Sequence, residues 1–194
     1  MATTAVSTDG ARQPPTAAMF RTRRHSLIAA LVAASISLAV PAAASACEGA
    51  NDEPTEVSLG VSEHATLCLI NRERTTRGIR KFRRNTRLDL ASARHARSMA
   101  ARDFFEHGNF VGRIRSANYL QGAHGWKLGE NIAWGSGTLG TPAEIVDAWM
   151  HSPGHRANIL NRGFREIGIG VARGTPNRSY DDGGTYATDF GTRG

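Results

Sequence analysis

Three histidines and one glutamate are the residues of this chain best suited to chemistry. His107 and Glu130 lie near predicted loops, and His151 and His155 bracket a Ser-Pro-Gly turn. Two or three imidazoles and a carboxylate are what a zinc or similar divalent site needs. His151 and His155 have the i,i+4 spacing of a helical zinc pair, but the proline and glycine between them argue against a continuous helix. A structural role for these histidines is as well supported by the sequence as a role in binding a metal.

Most other catalytic signatures are missing from the sequence. It contains no phosphate-binding glycine loop, no Gly-x-Ser-x-Gly elbow and no His-Glu-x-x-His helix. Cys68 is the only cysteine inside the predicted fold, and its oxidation would remove the one thiol nucleophile. Glu144 is accounted for by a helix cap, so we do not place it in a site.

Apolar periodicity and capping signals predict the helices that must position these residues. Helices are expected over residues 59–77 and 88–102, with a short one over 113–120. A further helix begins at Thr141-Pro142-Ala143-Glu144, where the threonine can cap and the proline suits the first helical position. We expect this helix to end at the proline and glycine at 153–154.

Strand-like segments are concentrated late in the chain. They cover residues 131–134, 167–172 and 186–190. Glycines within the second segment indicate close backbone approach or a bulge. Helices early and strands late predict an α+β domain.

The two cysteines leave two states open for Cys47. In an oxidising compartment an even pair favours a Cys47–Cys68 disulfide. The alternative is lipidation of Cys47 as the first mature residue, for which Ala44-Ser45-Ala46 is a poor preceding signal. The disulfide is the favoured interpretation.

The N-terminal region resembles an export signal. Arginines at 21, 23 and 24 precede an apolar run over 26–40 and a small-residue stretch ending at Ala46. We interpret residues 1–46 as a signal peptide with an N-terminal extension, although a retained anchor, a start at Met19 and a weak twin-arginine signal are alternatives. No later segment is apolar enough to cross a bilayer, so we expect no transmembrane anchor after cleavage.

The positive charge of the chain is carried almost entirely by arginine. Removal of residues 1–46 lowers the formal net charge from +7 to +4, and eight cations lie between Arg72 and Arg87. Such a run suits an anionic cell-wall polymer, a lipid headgroup or nucleic acid. A solvated helix end and loop is the favoured alternative, and we expect no nucleic-acid partner because aromatic interleaving is missing.

Several ordered motifs resemble the bacterial branch of the CAP superfamily, the SCP-like domain of cysteine-rich secretory, antigen 5 and plant pathogenesis-related proteins. The resemblance covers essentially all of residues 60–191. The motifs are Leu67-Cys68-Leu69-Ile70-Asn71-x-x-Arg74, Phe104-Phe105-Glu106-His107, Gly129-Glu130-Asn131-Ile132-Ala133, Trp149 to Leu160, Ile167 to Val171 and Tyr186 to Gly191.

The resemblance implies a three-layer α-β-α sandwich with a central, mostly antiparallel sheet. It also implies a surface cleft in which two histidines and two glutamates face one another. His107, Glu130 and His155 match three of these positions, and Ser152 stands where the second glutamate is expected. His151, beside Ser152, is a candidate substitute ligand for Zn²⁺ or another divalent cation.

Three functions follow for this cleft. A binding protein would take a lipid, a cell-wall component or a peptide in the cleft or a neighbouring apolar groove. A metal-assisted extracellular hydrolase or peptidase would use His107, Glu130 and His155 as catalytic candidates. In a structural role, Glu130 and His155 would hydrogen-bond the sheet, a part expected of Asn131 and Arg156 in any case. We favour binding over catalysis.

The organisation expected from the sequence is therefore simple. Residues 1–46 form the signal segment, residues 47–59 a mature N-terminal leader, and residues 60–194 the CAP domain. We expect a monomer that is secreted, or associated with the cell envelope.

Overall fold

A single sheet lies between helices in the part of the chain that can be described. The computed structural model describes residues 47–180 and 182–194, so the signal peptide predicted over 1–46 lies outside the described residues. Within the described residues, no helix is both long enough and apolar enough to span a membrane. The helices are α1 (Leu59–Thr75), α2 (Thr86–Arg102), α3 (Phe110–Ser116), α4 (Pro142–His151) and α5 (Pro153–Leu160), and the strands are β1 (Arg83–Arg84), β2 (Trp126–Gly135), β3 (Glu166–Arg173) and β4 (Gly184–Arg193).

The sheet is mostly antiparallel, as expected. Its strand order is β1-β3-β4-β2, with β3 and β2 both antiparallel to β4 and the short β1 parallel to β3. Helices α2 and α3 pack on one face, and α1, α4 and α5 pack on the other. This arrangement confirms the three-layer α-β-α sandwich.

The two faces of the sheet differ in side-chain size. Because side chains alternate along a strand, Ile167, Ile169 and Val171 enter the main apolar cluster beneath α1 and α4. Gly168 and Gly170 face α2 instead. A Cβ on Gly168 would lie 2.0 Å from the carbonyl carbon of Leu88, and one on Gly170 would lie 2.2 Å from the backbone nitrogen of Ala93. Close backbone approach, one of the two alternatives for these glycines, is confirmed.

The Cys47–Cys68 disulfide is confirmed. The two Cα atoms are 5.7 Å apart, and Cys47 belongs to the main apolar cluster. The leader is also tied down beyond the disulfide, because the backbone N–H of Ala143 donates to the carbonyl of Ala50 at 2.8 Å. The segment from Cys47 to Ala50 is thus held against α1 and the start of α4.

Arg74 is a buried structural residue. Its Nη1 donates to the carbonyls of Ile159 and Asn161 at 2.6 and 3.0 Å, and its Nε donates to the carbonyl of Arg80 at 2.7 Å. Its guanidinium also lies 3.6 Å from the centre of the Phe82 ring. These bonds join the end of α1 to the end of α5, and they account for this position of the Asn-x-x-Arg motif.

The basic run between residues 72 and 87 does not form one patch. Arg74 is buried, and Arg84 bridges Glu63 and Asp89 at 2.5 and 2.9 Å. Two further arginines of the run form the ion pairs Arg77–Glu73 and Arg83–Glu166. Half of the eight cations are thereby used in internal contacts, which favours the structural alternative over a polyanion site at this run.

Three elements differ from the sequence-based expectation. The short helix runs from Phe110 to Ser116 rather than over 113–120, because the Asn109 side chain accepts from Gly112 N at 2.8 Å and the chain turns at Asn118, where φ is 62°. The break after His151 starts a new helix, α5, because proline at a first helical position costs no hydrogen bond. Strand β1 was not expected, since two residues carry no periodicity.

We expect Gly170→Ala to destabilise the protein by about 3 kcal/mol or more, because the new Cβ would overlap the backbone of α2. Gly154→Ala is the matched control, since a Cβ there meets nothing within 4 Å and alanine favours a helix. Chemical denaturation of the two variants checks this, and equal stabilities would contradict the close packing.

Replacing both cysteines by serine should lower the free energy of unfolding by about 3 kcal/mol, because the loop closed by residues 47 and 68 becomes free in the unfolded chain. Thermal denaturation with and without reductant checks this. Reductant should lower the wild-type melting temperature to that of the double variant. A wild type insensitive to reductant would contradict the role given to the bond.

Candidate functional site

Glu130 is the centre of the candidate site. It lies on β2, where alternation turns its side chain toward the α2–α3 layer, and only 1% of that side chain is exposed. Its Oε2 accepts from Nη2 of Arg113 at 2.5 Å, and its Oε1 accepts from Nδ1 of His107 at 2.8 Å. A buried carboxylate is tolerated only with such partners. Both of its oxygens are therefore engaged by side chains of this chain.

His107 is positioned by the loop between α2 and α3. Its Nδ1–H donates to Glu130, and its backbone carbonyl accepts from Nη1 of Arg113 at 2.8 Å. Half of its side chain remains exposed. Because Nδ1 contacts Glu130, the ring directs its Nε2 away from that carboxylate.

His155 reaches the same region from the opposite layer. It lies on α5, and its backbone carbonyl accepts from Nδ2 of Asn131 at 3.1 Å. Burial, followed by the charge of His107, lowers the pKa of His155, which favours a neutral imidazole. His107 and His155 come from opposite layers, and a protonated His107 would disfavour a charge on His155.

Asn131 contacts α5 through its side-chain amide. Its Oδ1 accepts from Nδ2 of Asn158 at 2.9 Å, and that same amide donates to the carbonyl of Glu130 at 3.2 Å. Neighbouring residues of β2 therefore anchor the two layers: Glu130 binds the α3 side and Asn131 binds α5.

Asp189 lies beside Glu130 on the neighbouring strand β4. It is the antiparallel partner of Glu130 in the β2–β4 register and is 1% exposed. Its Oδ2 accepts from the Ser92 hydroxyl at 2.7 Å, while its Oδ1 is buried without another hydrogen-bond partner in the described structure. Burial, with the nearby Glu130 charge, raises the pKa of Asp189 to about 8. The raised pKa favours the protonated form of this carboxyl group at neutral pH.

His95 is a further buried polar residue, and it contacts the loop that carries His107. Its Nε2 contacts the carbonyl of Glu106 at 3.0 Å. Burial and the charge of Arg113 lower the pKa of His95, so it is a neutral donor that holds the loop rather than an additional cation. Glu106 and His107 are consecutive, and this contact helps to place His107.

Two of the expected site residues lie elsewhere. His151 is exposed at the end of α4, where its Nδ1 lies 3.2 Å from Oδ2 of Asp147. Arg156, expected to support the sheet with Asn131, is exposed on α5. Both line a groove between α1 and α4, described below. The serine at position 152 is the break between α4 and α5.

The donor set does not fit a closed zinc site. Both oxygens of Glu130 are occupied, which leaves the imidazoles of His107 and His155, whereas resident zinc takes at least three protein ligands. In residues 47–180 and 182–194, no group of three or more His, Cys, Asp or Glu side chains is arranged to hold a metal ion. The divalent cation remains a prediction of the sequence.

Arg113, Asp189 and Ser92 belong to the candidate site, although the sequence did not predict them there. Arg113 was expected only as the start of a short helix. Asp189 carried a usable signal, because a carboxylate between alanine, threonine and phenylalanine in an apolar strand is out of place unless it has a buried role. Nothing local marks Ser92, whose partner is 97 residues away.

Comparison with known proteins agrees with this architecture. The family model described as the cysteine-rich secretory protein family, CAP, matches residues 67–188. The uncharacterized protein YkwD of Bacillus subtilis (strain 168) is 33% identical over 135 residues, which are 67% of this chain and 49% of YkwD. The chain therefore spans about half the length of that relative.

Solved structures share the fold at lower identity. An outer surface protein from Borrelia burgdorferi superposes with a TM-score of 0.54 at 20% identity, over 66% of this chain and 90% of that one. An extracellular protein containing a SCP domain from Bacillus anthracis str. Ames gives a TM-score of 0.51 at 22% identity, over 71% of this chain and 40% of that one. These likenesses concern the fold alone.

We expect Asp189→Asn to stabilise the protein increasingly as pH rises. The pKa of Asp189 is higher in the folded chain, so the native state binds more protons between pH 3.8 and about 8, and the contribution of this group to stability falls across that window. Asparagine keeps the shape without the titration. The difference from wild type should grow from near zero at the acidic end to about 2 kcal/mol or more at the basic end.

Denaturation across this pH range measures the effect, with Asp52→Asn at an exposed aspartate as the control. A difference between Asp189→Asn and wild type that does not change with pH would contradict a protonated Asp189.

Proposed function

The chain belongs to the cysteine-rich secretory protein (CAP) family, and from this premise we propose that it is an extracellular binding protein for an anionic amphiphile, such as a fatty acid or an anionic lipid. Export is supported by the signal-like segment over 1–46 and by the solved relatives, one described as an outer surface protein and another as an extracellular protein. The ligand class is argued from a groove on the α1–α4 layer.

The groove between α1 and α4 is the observation that carries the proposal. It has a volume of about 510 Å³ and a mostly charged lining, and its apolar part comes from Met150 with the buried Leu69 and Val146. A second hollow of about 360 Å³ adjoins it over α5, where Ala157 and Leu160 continue the apolar lining. Volumes of this size are typical of small-molecule sites. Together the two hollows suit a hydrocarbon chain.

The charges along this α1–α4 groove favour a negative headgroup. Of its three carboxylates, Glu73 is paired with Arg77, and Oδ2 of Asp147 lies 3.2 Å from Nδ1 of His151, a contact that is an ion pair only when the imidazole is protonated. The third, Glu144, lies at the N-terminal end of α4. In contrast, Arg72 and Arg156 form no ion pair with any described residue. Two unpaired guanidiniums beside an apolar lining match a carboxylate or phosphate headgroup.

The His107–Glu130–His155 cleft has less support as a hydrolase centre. Glu130 is held by Arg113 and His107, so it is not a free general base, and the described residues offer two imidazoles to a metal. We assign to this cleft a role in fixing the β2 edge and offering polar contacts. A metal-assisted hydrolase that uses His107, Glu130 and His155 is the second candidate function.

Binding of cis-parinaric acid, measured by its fluorescence, tests the proposal. Arg72→Gln combined with Arg156→Gln should weaken binding about tenfold, because two headgroup contacts are lost. Met150→Glu should abolish binding by placing a charge against the hydrocarbon chain. The control is Arg115→Gln, an exposed arginine on the opposite layer.

No saturable binding by wild type, or equal binding by wild type and Met150→Glu, would reject the α1–α4 groove. Metal-dependent peptide or ester hydrolysis that is lost in His107→Ala and His155→Ala would favour the second candidate instead.

A further inference from the structure

The layer opposite the α1–α4 groove carries a second concave surface. Two adjoining depressions of about 350 and 380 Å³ lie between α2 and the α3 region, and both are lined by Arg94, Asn109 and Arg113. Arg102 lines the first of them, together with Ser98. We call these two depressions together the α2–α3 hollow.

Two arginines of the α2–α3 hollow have no neutralising partner in the described structure. Arg94 is exposed and has no side-chain hydrogen bond or ion pair with a described residue. Arg102 donates to the Ser98 hydroxyl at 2.6 Å, and its guanidinium lies 5.2 Å from the centre of the Phe104 ring, but it meets no carboxylate of the described residues. Both charges are thus available to a ligand.

The two arginines lie in succession along α2. Residues 94 and 102 are eight positions apart on one helix, so they share a face and lie about 12 Å apart along its axis. Ser98 lies midway between them on that face. Because Arg102 donates to Ser98, its guanidinium turns back toward Arg94, and the two cations stand in succession along one depression. A chain with repeated charges can contact both.

The remaining charged groups around the α2–α3 hollow do not cancel the positive charge of Arg94 and Arg102. Arg113 is already neutralised by Glu130, and burial together with Arg113 lowers the pKa of His95, which leaves that imidazole neutral. Glu106 is the one carboxylate that lines the hollow among the described residues, and it is exposed to solvent. The net field over Arg94 and Arg102 is positive.

We propose that the α2–α3 hollow binds a linear phosphate polymer, with separate phosphate groups on Arg94 and Arg102. The planar guanidinium fork matches two oxygens of one phosphate, which a single lysine cannot do. The hydroxyl of Ser98 and the amide of Asn109 supply hydrogen-bond donors between and beside the two cations. This surface lies in a different layer from the α1–α4 groove and does not depend on lipid binding there.

The test uses inorganic polyphosphate as the probe and the residues 47–194 that follow the predicted cleavage site, in the disulfide-bonded state. The Arg94→Gln and Arg102→Gln double variant should bind about tenfold more weakly in isothermal titration. Its plot of log affinity against log salt concentration should be shallower by about 1.5, since two phosphate contacts are lost.

The matched control is the double variant Arg97→Gln and Arg115→Gln. It removes the same charge from exposed positions on α2 and α3 that do not line the hollow. We expect little change in affinity and an unchanged salt slope. Circular dichroism melting of both double variants establishes that each remains folded.

Several outcomes would overturn the proposal. Equal losses in the two double variants would mean that net charge alone attracts the polymer. Competition by orthophosphate at the same total phosphate concentration would mean that a single anion suffices. Equally tight binding of poly-glutamate would reject phosphate as the recognised group, and an undetectable affinity for polyphosphate would reject the site.

Discussion

The close approach of α2 to the sheet is the constraint on which the rest of the structure depends. Gly168 and Gly170 leave no room for a Cβ, so the helix backbone lies almost directly on β3. This approach brings the Ser92 hydroxyl to 2.7 Å from Asp189, which in turn lies opposite Glu130 in the register of β4 and β2. The chemistry of the cleft therefore begins with a packing requirement. Larger residues in β3 would lift α2 away, and the buried carboxyl group of Asp189 would lose its partner.

Arginine has three different physical roles in this protein, although the sequence presents it as one excess of charge. Arg74 is buried, where its planar head satisfies three backbone carbonyls. Arg113 stabilises the buried Glu130, and that contact keeps a carboxylate inside the α2–α3 layer. Other arginines, such as Arg94 and Arg156, are exposed and unpaired within the described structure. These roles differ because the fold places different partners next to each arginine, although the side chain is the same.

Local sequence signals predicted much of the fold. The Thr141 cap and Pro142 define the start of α4, and apolar periodicity located α1 and α2 to within two residues at most of their ends. The cysteine pair was predicted correctly because two thiols in a chain expected to be exported have few alternatives. The resemblance to the CAP family, carried by ordered motifs, then implied the three-layer sandwich and a cleft with His107, Glu130 and His155. All of these signals act within a few residues or come from a pattern of residue types along the chain.

Only the tertiary structure decided how the site is completed and which groups remain available. The pairing of Glu130 with Asp189 depends on strand register, and the contact of Glu130 with Arg113 depends on how α3 packs against β2. Neither the separation of these residues along the chain nor their types shows which of them meet in the folded protein. The same holds for His151, which its sequence position places beside the candidate site but which the break at Ser152 turns toward the α1–α4 groove. The sequence by itself determined the residue types and the elements that carry them. Burial and contact across the sheet determined their charge states and partners, because electrostatic interactions depend on separation in space and on exclusion of water.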